Sequence, residues 1–223
     1  MALVFGPDAF TVGADTNIDA YPAAGADYTY TVGSGAGLTV NAANDRVQNT
    51  LIATDAIARV SDAAAPTGAQ ENICDAGDDG ANHYGSVHAR CASASDDDYL
   101  IAITTADASE CYLVRRDAGV GTTLVNQDRG LATATHRLRL RAIGAGSAVS
   151  LEAQPDDTRP LTFSDTAATR KTSGQPGLAG FNDLTANLGW VDNLSVDDLA
   201  ATGYQARCGT LTVGTGVAGT TYS

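Results

Sequence analysis

Residues 136–142 read His-Arg-Leu-Arg-Leu-Arg-Ala, and this short stretch decides the fold class. Successive side chains of a β-strand point to opposite faces, so the three arginines fall on one face and the two leucines and Ala142 on the other. A helix, with 3.6 residues per turn, would not separate them in this way. The stretch therefore predicts a strand with its leucines in a core and its arginines facing solvent.

Short runs of the same kind recur along the chain, separated by turn signals rich in Asp and Gly. Residues 51–61 fit either a helix or a strand, because their spacing suits the first and their β-branched residues suit the second. About a dozen short strands without a βαβ pattern predict an all-β, two-sheet antiparallel sandwich. The predicted strands lie at residues 9–12, 37–41, 71–75, 85–93, 99–105, 111–116, 122–126, 136–142, 148–154, 160–164, 177–181 and 188–199.

The chain divides into two parts by composition. Residues 1–199 carry the predicted strands and suffice for one sandwich. Residues 200–223 are rich in Gly and Thr and contain one alternating run at 210–213. We expect this C-terminal extension either to dock on a neighbouring subunit or to form a frayed or locally folded tail.

The charge of the chain excludes several partners. The net charge is −13, and all but three of the 26 acidic residues are aspartates, which favour turns over helices. So acidic a surface repels phosphate backbones, and we expect no nucleic-acid partner. No apolar run is long enough to span a bilayer, and the first residues do not form a signal peptide. We therefore expect synthesis in a cytoplasm and no membrane partner.

Four stretches together resemble the concanavalin A-like, laminin-G-like jelly-roll superfamily. They begin with Asp-Ala-Phe-Thr-Val at residues 8–12 and Asp-Thr-Asn-Ile-Asp at 15–19. Asp-Tyr-Leu-Ile-Ala-Ile at 98–103 and Cys-Tyr-Leu-Val-Arg-Arg-Asp-Ala-Gly at 111–119 are similar to a pair of central strands. Thr-His-Arg-Leu-Arg-Leu-Arg-Ala-Ile-Gly at 135–144 follows, and Gly-Gln-Pro-Gly-Leu-Ala-Gly-Phe at 174–181 with Trp-Val-Asp-Asn-Leu-Ser-Val at 190–196 resemble the closing segment. The resemblance covers residues 9–199 and implies a concanavalin-like jelly roll.

Enzymatic activity is not expected. Glucanases of this superfamily carry their catalytic carboxyls in an E-x-D-x-x-E strand, whereas Glu71, Glu110 and Glu152 lie far apart here. No Gly-x-Ser-x-Gly elbow accompanies the histidines. We interpret His88 and His136 as ordinary strand residues and assign no catalytic residue.

Calcium is the metal that the residues favour, because hard cations prefer oxygen ligands from loops. Two loop clusters supply carboxylates, and turn-forming aspartates explain both clusters equally well. The candidate ligands are Asp75, Asp78, Asp79, Asp96 and Asp98.

Sugar binding in this fold uses exposed aromatic rings. We expect Trp190 to belong to the core, and no single tyrosine is favoured as a sugar contact. The rings available are those of Tyr21, Tyr28, Tyr30, Tyr84, Tyr99, Tyr112 and Trp190.

The four cysteines allow three fully paired connectivities. Antiparallel pairing of residues 71–75 with 85–93 would place Cys74 opposite Cys91, so this bridge is the predicted one, with free thiols expected in a reducing compartment. Cys91 and Cys111 are expected on strands that flank 99–105, too far apart to bond. Cys208 has no local partner.

Two functions follow as expectations. Modules like this without a signal peptide resemble those in structural proteins of tailed phages. We therefore expect a non-enzymatic virion protein, a capsid decoration or tail-associated subunit that contacts other virion proteins and self-associates. Arg137, Arg139 and Arg141 form either an interface with an acidic neighbour or a solvated strand face. The alternative is a lectin-like, carbohydrate-binding module that attaches to glycans.

Overall fold

A computed structural model describes residues 2–21, 28–32, 37–50, 56–61, 66, 68–78, 85–93, 95–104, 110–131, 135–180 and 189–199. Within these ranges the chain forms sixteen β-strands and one short 3-10 helix, Ile18–Ala20. All strand pairs are antiparallel and fall into two sheets. The predicted all-β, two-sheet architecture is confirmed.

The nine-stranded sheet has the order β14-β13-β12-β7-β16-β5-β4-β2, and β1 also pairs with β16. Strands β7 and β16, which are far apart in sequence, pair at its centre. Its members are β1 (Ala2–Asp8), β2 (Thr16–Asn17), β4 (Leu38–Asn41), β5 (Arg46–Asn49), β7 (Gln70–Asp78), β12 (His136–Ile143), β13 (Val149–Pro155), β14 (Leu161–Asp165) and β16 (Gly189–Asp198).

The seven-stranded sheet has the order β11-β10-β9-β8-β15-β6-β3. Strands β8 to β11 run as a meander of neighbours, and β15 inserts between β8 and β6. Its members are β3 (Tyr28–Val32), β6 (Ala56–Val60), β8 (Ser86–Cys91), β9 (Asp98–Thr104), β10 (Glu110–Asp117), β11 (Val120–Asp128) and β15 (Gln175–Gly180).

The core lies between the inner faces of the two sheets. Strand β12 shows how alternation builds it: Leu138, Leu140 and Ala142 are fully buried in the core, whereas Arg137 is exposed. On the outer face Arg141 forms ion pairs with Glu71 of β7 and Glu152 of β13. The period-two prediction for residues 136–142 is therefore confirmed.

Several predicted elements differ from those observed. Residues 9–12 follow strand β1 instead of forming a strand, because Phe10 turns into the core with a positive φ of 47°. None of the predicted strands corresponds to β1, β2, β3 or β5. Residues 56–60 are a strand and not a helix, as their β-branched residues favour. The C-terminal extension, residues 200–223, lies outside the described residues.

The predicted Cys74–Cys91 bridge is wrong. Cys74 lies in β7 of the nine-stranded sheet and Cys91 in β8 of the seven-stranded sheet, because the chain crosses between sheets here instead of forming a hairpin. Cys74, Cys91 and Cys111 are all buried free thiols. Strands β8 and β10 do flank β9, as predicted for Cys91 and Cys111. Cys208 lies outside the described residues.

The burial of β12 leads to a test of the core. Replacement of Leu140 by Ala removes a fully buried side chain and leaves a cavity, so the free energy of unfolding falls by about 2–5 kcal/mol. Arg137→Ala on the exposed face of the same strand changes it by less than about 0.5 kcal/mol. Urea denaturation of both variants measures the difference. Equal losses would contradict the placement of the two faces.

Candidate functional site

A β-bulge in strand β8 shapes the outer face of the seven-stranded sheet. Between the paired positions His88–Gly177 and Cys91–Gln175, β8 contains one residue more than β15. Arg90, in this extra stretch, has a positive φ of 58°. Because an inserted residue reverses the alternation, Cys91 joins His88 on the outer face. Its sulfur lies over Gly177, where a Cβ would overlap it.

A polar relay lies beside this bulge. Ser86 Oγ is 2.6 Å from His88 Nε2, and His88 Nδ1 is 2.8 Å from Asp98 Oδ2. Arg116 donates from Nε to Asp98 Oδ1 at 2.9 Å and also forms an ion pair with Asp98 Oδ2. The exposed fraction is 0% for Ser86 and His88 and 1% for Asp98.

The Asp98 carboxylate of this relay is held in its charged form by its neighbours. Burial would raise the pKa of Asp98, but His88 and Arg116 outweigh it and lower this pKa to about 2. Burial raises the pKa of the Cys91 thiol well above its ordinary value, with a further contribution from Asp98. At neutral pH Asp98 is therefore a carboxylate and Cys91 a thiol.

The chemistry open to this relay is limited by burial and by Arg116. A Ser-His-Asp arrangement catalyses acyl transfer when its serine reaches a substrate and an oxyanion site, but the Ser86 side chain is fully buried. Among the described residues His88, Cys91 and Asp98 also bring three potential metal ligands within 4.8 Å of one another. The Arg116 guanidinium, with Nη2 3.1 Å from His88 Nδ1, places a positive charge where a cation would sit. The arrangement is best suited to stabilising this face of the sheet.

A pocket of about 510 Å³ opens next to Cys91. This volume is within the range of roughly 300–1,000 Å³ typical of small-molecule sites. The wall combines apolar surface with three polar side chains, since Ser93 and Ser173 are exposed and Gln175 is half-buried. Arg59 donates a hydrogen bond to Gln175 Oε1 from the neighbouring strand β6 and orients that amide. The lining residues are Cys91, Ala92, Ser93, Ser173, Gly174 and Gln175.

Arg90 anchors the wall of the pocket from beneath. Its guanidinium is buried and donates to three carbonyl oxygens, those of Lys171 at 2.6 Å, Gly68 at 3.0 Å and Gly144 at 2.6 Å. Burial lowers the pKa of Arg90 to about 10, so it is still charged at neutral pH. Gly174 packs against the Arg90 backbone with a φ of 139°, which leaves no room for a side chain. The segment 171–174 is therefore held in one position.

A second network of charges lies at the same end of the sandwich. Lys171 Nζ is 2.7 Å from Asp97 Oδ1 and also pairs with Asp117. Arg115 joins Asp117 to the buried Asp165 of β14, at 3.0 and 2.9 Å. Hydrogen bonds from Lys171 and Ser95 lower the pKa of Asp97 to about 2.

The five predicted calcium ligands are not brought together within the described residues. Asp98 is buried in the relay, and Asp96 pairs with Arg116 Nη1 at 3.0 Å. Asp75 lies on the other sheet, where it accepts a hydrogen bond from Asn193 Nδ2 at 2.9 Å. The side chain of Asp78 and the whole of Asp79 lie outside the described residues. Calcium binding by these residues stays a prediction.

A second bulge carries Asp192. Strand β16 has one residue more than β7 between Asp192 and Ser195, and Asn193 there has a φ of 52°. Burial, followed by the charges of Asp75, Asp45 and Asp8, raises the pKa of Asp192 to about 6, against a lowering hydrogen bond from the Asn193 backbone. This position is an unfavourable one for a carboxylate at neutral pH.

The aromatic side chains are mostly engaged within the protein. Trp190 is not in the core, contrary to the sequence prediction: it lies half-buried on the outer face of the nine-stranded sheet against Gly77, with Arg46 4.7 Å from its ring. Tyr99 bonds Asp165, and Tyr112 is half-buried beside Glu110.

Near the start of the chain, Phe10, Tyr21 and Tyr28 pack together, and both tyrosine hydroxyls donate to Asp8. The side chain of Tyr30 and the whole of Tyr84 lie outside the described residues. Among the aromatic residues that the structure describes, none lines the pocket beside Cys91.

The relay was missed at the level of sequence, although one signal was present. Ser86 and His88 are two residues apart on a predicted strand and so share a face. Asp98 begins the neighbouring strand β9, two residues before Leu100, which pairs with His88. The bulge at Arg90, which adds Cys91 to this face, has no comparable signal, because nothing in Ala-Arg-Cys marks a positive φ.

Comparison with known proteins agrees with the geometry of the two sheets. No protein-family model and no curated protein sequence matches the chain. The structure is similar to the carbohydrate binding module CBM66 from Bacillus subtilis, with a TM-score of 0.59 and 14% identity over 77% of this chain and 95% of that one. The sandwich has a concanavalin A-like jelly-roll fold.

Two further structures share this jelly roll. Arcelin-5, a lectin-like defense protein from Phaseolus vulgaris, has a TM-score of 0.53 and 9% identity over 86% of this chain and 96% of that one. The metal-free carbohydrate recognition domain of Emp46p has a TM-score of 0.50 and 13% identity over 76% of this chain and 87% of that one. In the described part of the chain, no helix of the jelly roll has the length and apolar character needed to cross a membrane.

The relay predicts a loss of stability when its carboxylate is removed. Asp98→Asn removes the fully buried carboxylate partner of Arg116 and leaves it only the more exposed Asp96, so the free energy of unfolding falls by about 3 kcal/mol at pH 7. Because the folded pKa of Asp98 is below its ordinary 3.8, its stabilisation is present above about pH 4 and is lost as the pH falls towards 2. Denaturation between pH 2 and 7 measures both effects, and Asp157→Asn in an exposed turn is the control. An unchanged stability of Asp98→Asn at pH 7 would contradict the network.

The pH dependence of stability expected from Asp192 has the opposite sign to that expected from Asp98. The pKa of Asp192 is about 6 in the folded protein, above the ordinary 3.8. The contribution of Asp192 to the free energy of unfolding is therefore most favourable below about pH 4 and is lost as the pH rises through 6. Asp192→Asn therefore stabilises the protein at pH 7 by about 1 kcal/mol, after allowance for solvent screening of a partly exposed group. Thermal unfolding at pH 4 and pH 7 checks this, with the two proteins more alike at pH 4. A destabilised variant at pH 7 would show that the hydrogen bonds from Asn193 outweigh the burial of the Asp192 carboxylate.

Proposed function

We propose that this jelly roll is a non-enzymatic, carbohydrate-binding module, and that the pocket beside Cys91 is its sugar site. The observation that carries the proposal is the mixed lining of this pocket, in which two serines and one glutamine lie among apolar surface on the outer face of the seven-stranded sheet. Hydroxyl and amide groups both donate and accept hydrogen bonds, as sugar hydroxyls require. The alternative function predicted from the sequence is thus the better supported one.

The pocket is suited to a neutral sugar. None of its lining residues carries a charge, so hydrogen bonds and not ion pairs would fix the ligand. Its wall is preorganised, since Arg90 ties the segment 171–174 to two other loops and Arg59 orients Gln175. Preorganisation lowers the entropic cost of binding. The shared fold of CBM66 and of the Emp46p carbohydrate recognition domain adds support by analogy.

Binding without hydrolysis follows from the same lining. Glycoside hydrolysis uses two carboxyl groups on either side of the scissile bond. The pocket lining contains neither Asp nor Glu, and the nearby carboxylate of Asp98 is buried and paired with Arg116. The proposal therefore assigns no catalytic residue to this pocket.

Attachment to a virus particle, predicted from the sequence, stays a prediction, as do virion partners, self-association and location in a virion. The two functions are compatible, because a lectin module displayed on a particle can serve adsorption to cell-surface glycans. A stabilising calcium ion also stays a prediction.

A glycan array tests the proposal. Wild-type protein binds neutral glycans, with calcium present or chelated, and Ser173→Ala or Gln175→Ala weakens binding about tenfold through the loss of a hydrogen bond in the pocket. Ser195→Ala, on the outer face of the other sheet, retains full binding and serves as the matched control. Absence of binding with and without calcium, or equal losses in Ser173→Ala and Ser195→Ala, would overturn the proposal.

A further inference from the structure

A second cavity lies at one edge of the sandwich, between the end strand of one sheet and the end strand of the other. Strand β11 ends the seven-stranded sheet and strand β14 ends the nine-stranded sheet. The cavity between them has a volume of about 370 Å³. Arg129, just after β11, and Arg159, just before β14, both line it.

These two arginines lack a partner among the described residues, as do Arg137 and Arg139 on the outer face of β12, but only Arg129 and Arg159 line a cavity together. In the part of the chain that the structure describes, neither guanidinium forms an ion pair or a hydrogen bond, and Arg129 Nε is buried without an acceptor. Other arginines are engaged by carboxylates or carbonyl oxygens, namely Arg90, Arg115, Arg116, Arg141 and Arg170. The chain has twice as many acidic as basic residues. Two arginines without a partner, one half-buried and one exposed, thus line the same cavity.

The remaining lining limits what an anion bound by these arginines can be attached to. Gln127 and Thr162 are exposed and offer neutral hydrogen-bonding groups, whereas Val125 and Leu161 supply an apolar floor continuous with the core. A sugar ring matches this mixture, since it presents hydroxyls at its rim and C–H groups on its face. The guanidinium fork matches a carboxylate or a sulfate through paired N–H donors.

We propose that the Arg129–Arg159 cavity binds the anionic group of an acidic sugar residue, a uronate or a sulfated sugar. Asp128 directly precedes Arg129, Asp157 lies two residues before Arg159, and the whole protein carries a charge of −13. These features oppose polyanions such as nucleic acids and favour a ligand with a single charge at this point.

This site is separate from the proposed neutral-sugar pocket. The two cavities share no lining residue, and one lies on the outer face of a sheet while the other lies between sheet edges. The acidic-sugar proposal goes beyond the proposed function, and each can fail alone. Ser173→Ala weakens neutral-glycan binding about tenfold and leaves acidic-sugar binding unchanged.

Titration of the whole chain with small ligands, followed by NMR of backbone amides, tests the proposal. The ligands are glucuronate, galactose 6-sulfate, glucose, acetate and inorganic sulfate. We expect glucuronate or galactose 6-sulfate to shift amides around residues 125–129 and 159–162, and the one that binds more tightly identifies the source of the charge. Glucose, acetate and inorganic sulfate bind at least about tenfold more weakly, and added salt weakens the binding.

Charge variants give the matched comparison. Arg129→Gln and Arg159→Gln each weaken acidic-sugar binding about tenfold or more, whereas Arg139→Gln, with the same change in net charge on the outer face of the nine-stranded sheet, has no effect. Arg129→Lys keeps the charge without the fork and gives an intermediate loss, which keeps the test informative if Arg129→Gln misfolds. Absence of binding by both acidic sugars, equal binding of acetate and glucuronate, or equal effects of Arg129→Gln and Arg139→Gln would overturn the proposal.

Discussion

The buried guanidinium of Arg90 organises one whole end of the sandwich. Its hydrogen-bonding partners are backbone oxygens of Gly68, Gly144 and Lys171, which belong to three different connections between strands. Among the described residues no carboxylate pairs with it, so carbonyl oxygens offset part of its desolvation, and burial lowers its pKa to about 10. The positive φ of the same residue creates the bulge that turns Cys91 outward. One side chain thus fixes the loops, the bulge and the wall of the polar pocket together.

The arginines of this acidic protein divide into those that hold the fold and those that face cavities or solvent. Arg115 and Arg116 are buried with aspartates, and Arg141 is flanked by two glutamates. Such pairs contribute little net stability, but loss of one partner is costly. Arg129 and Arg159 make no such pair among the described residues. Lack of a pair alone does not distinguish them, because Arg137 and Arg139 also lack one in the described part of the chain; what sets Arg129 and Arg159 apart is that they line one cavity.

Sequence patterns predicted the fold where local rules decide the structure. Alternation in residues 136–142 placed Leu138 and Leu140 correctly, because a strand with one buried face has a fixed register. The pairing of Cys74 with Cys91 failed, because a hairpin and a crossing between sheets leave the same local pattern in strands β7 and β8. The candidate sites depend on bulges, cavities and loops far apart in sequence. Residues such as Ser173, Gln175 and Arg159 carry no signature of their own, so neither cavity could be predicted from the sequence.

The position of strand β16 has a consequence for how the chain is made. It is the last of the described strands, yet it lies at the centre of the nine-stranded sheet, where it pairs with β7, β5 and β1. Until residues 189–198 leave the ribosome, β5 and β7 each present an edge that lacks its final neighbour. Unpaired edges recruit other strands, and pairings over such sequence distances form slowly. Completion of this sheet is thus a late event in synthesis, and the interval before it is when the nascent chain is most exposed to wrong partners.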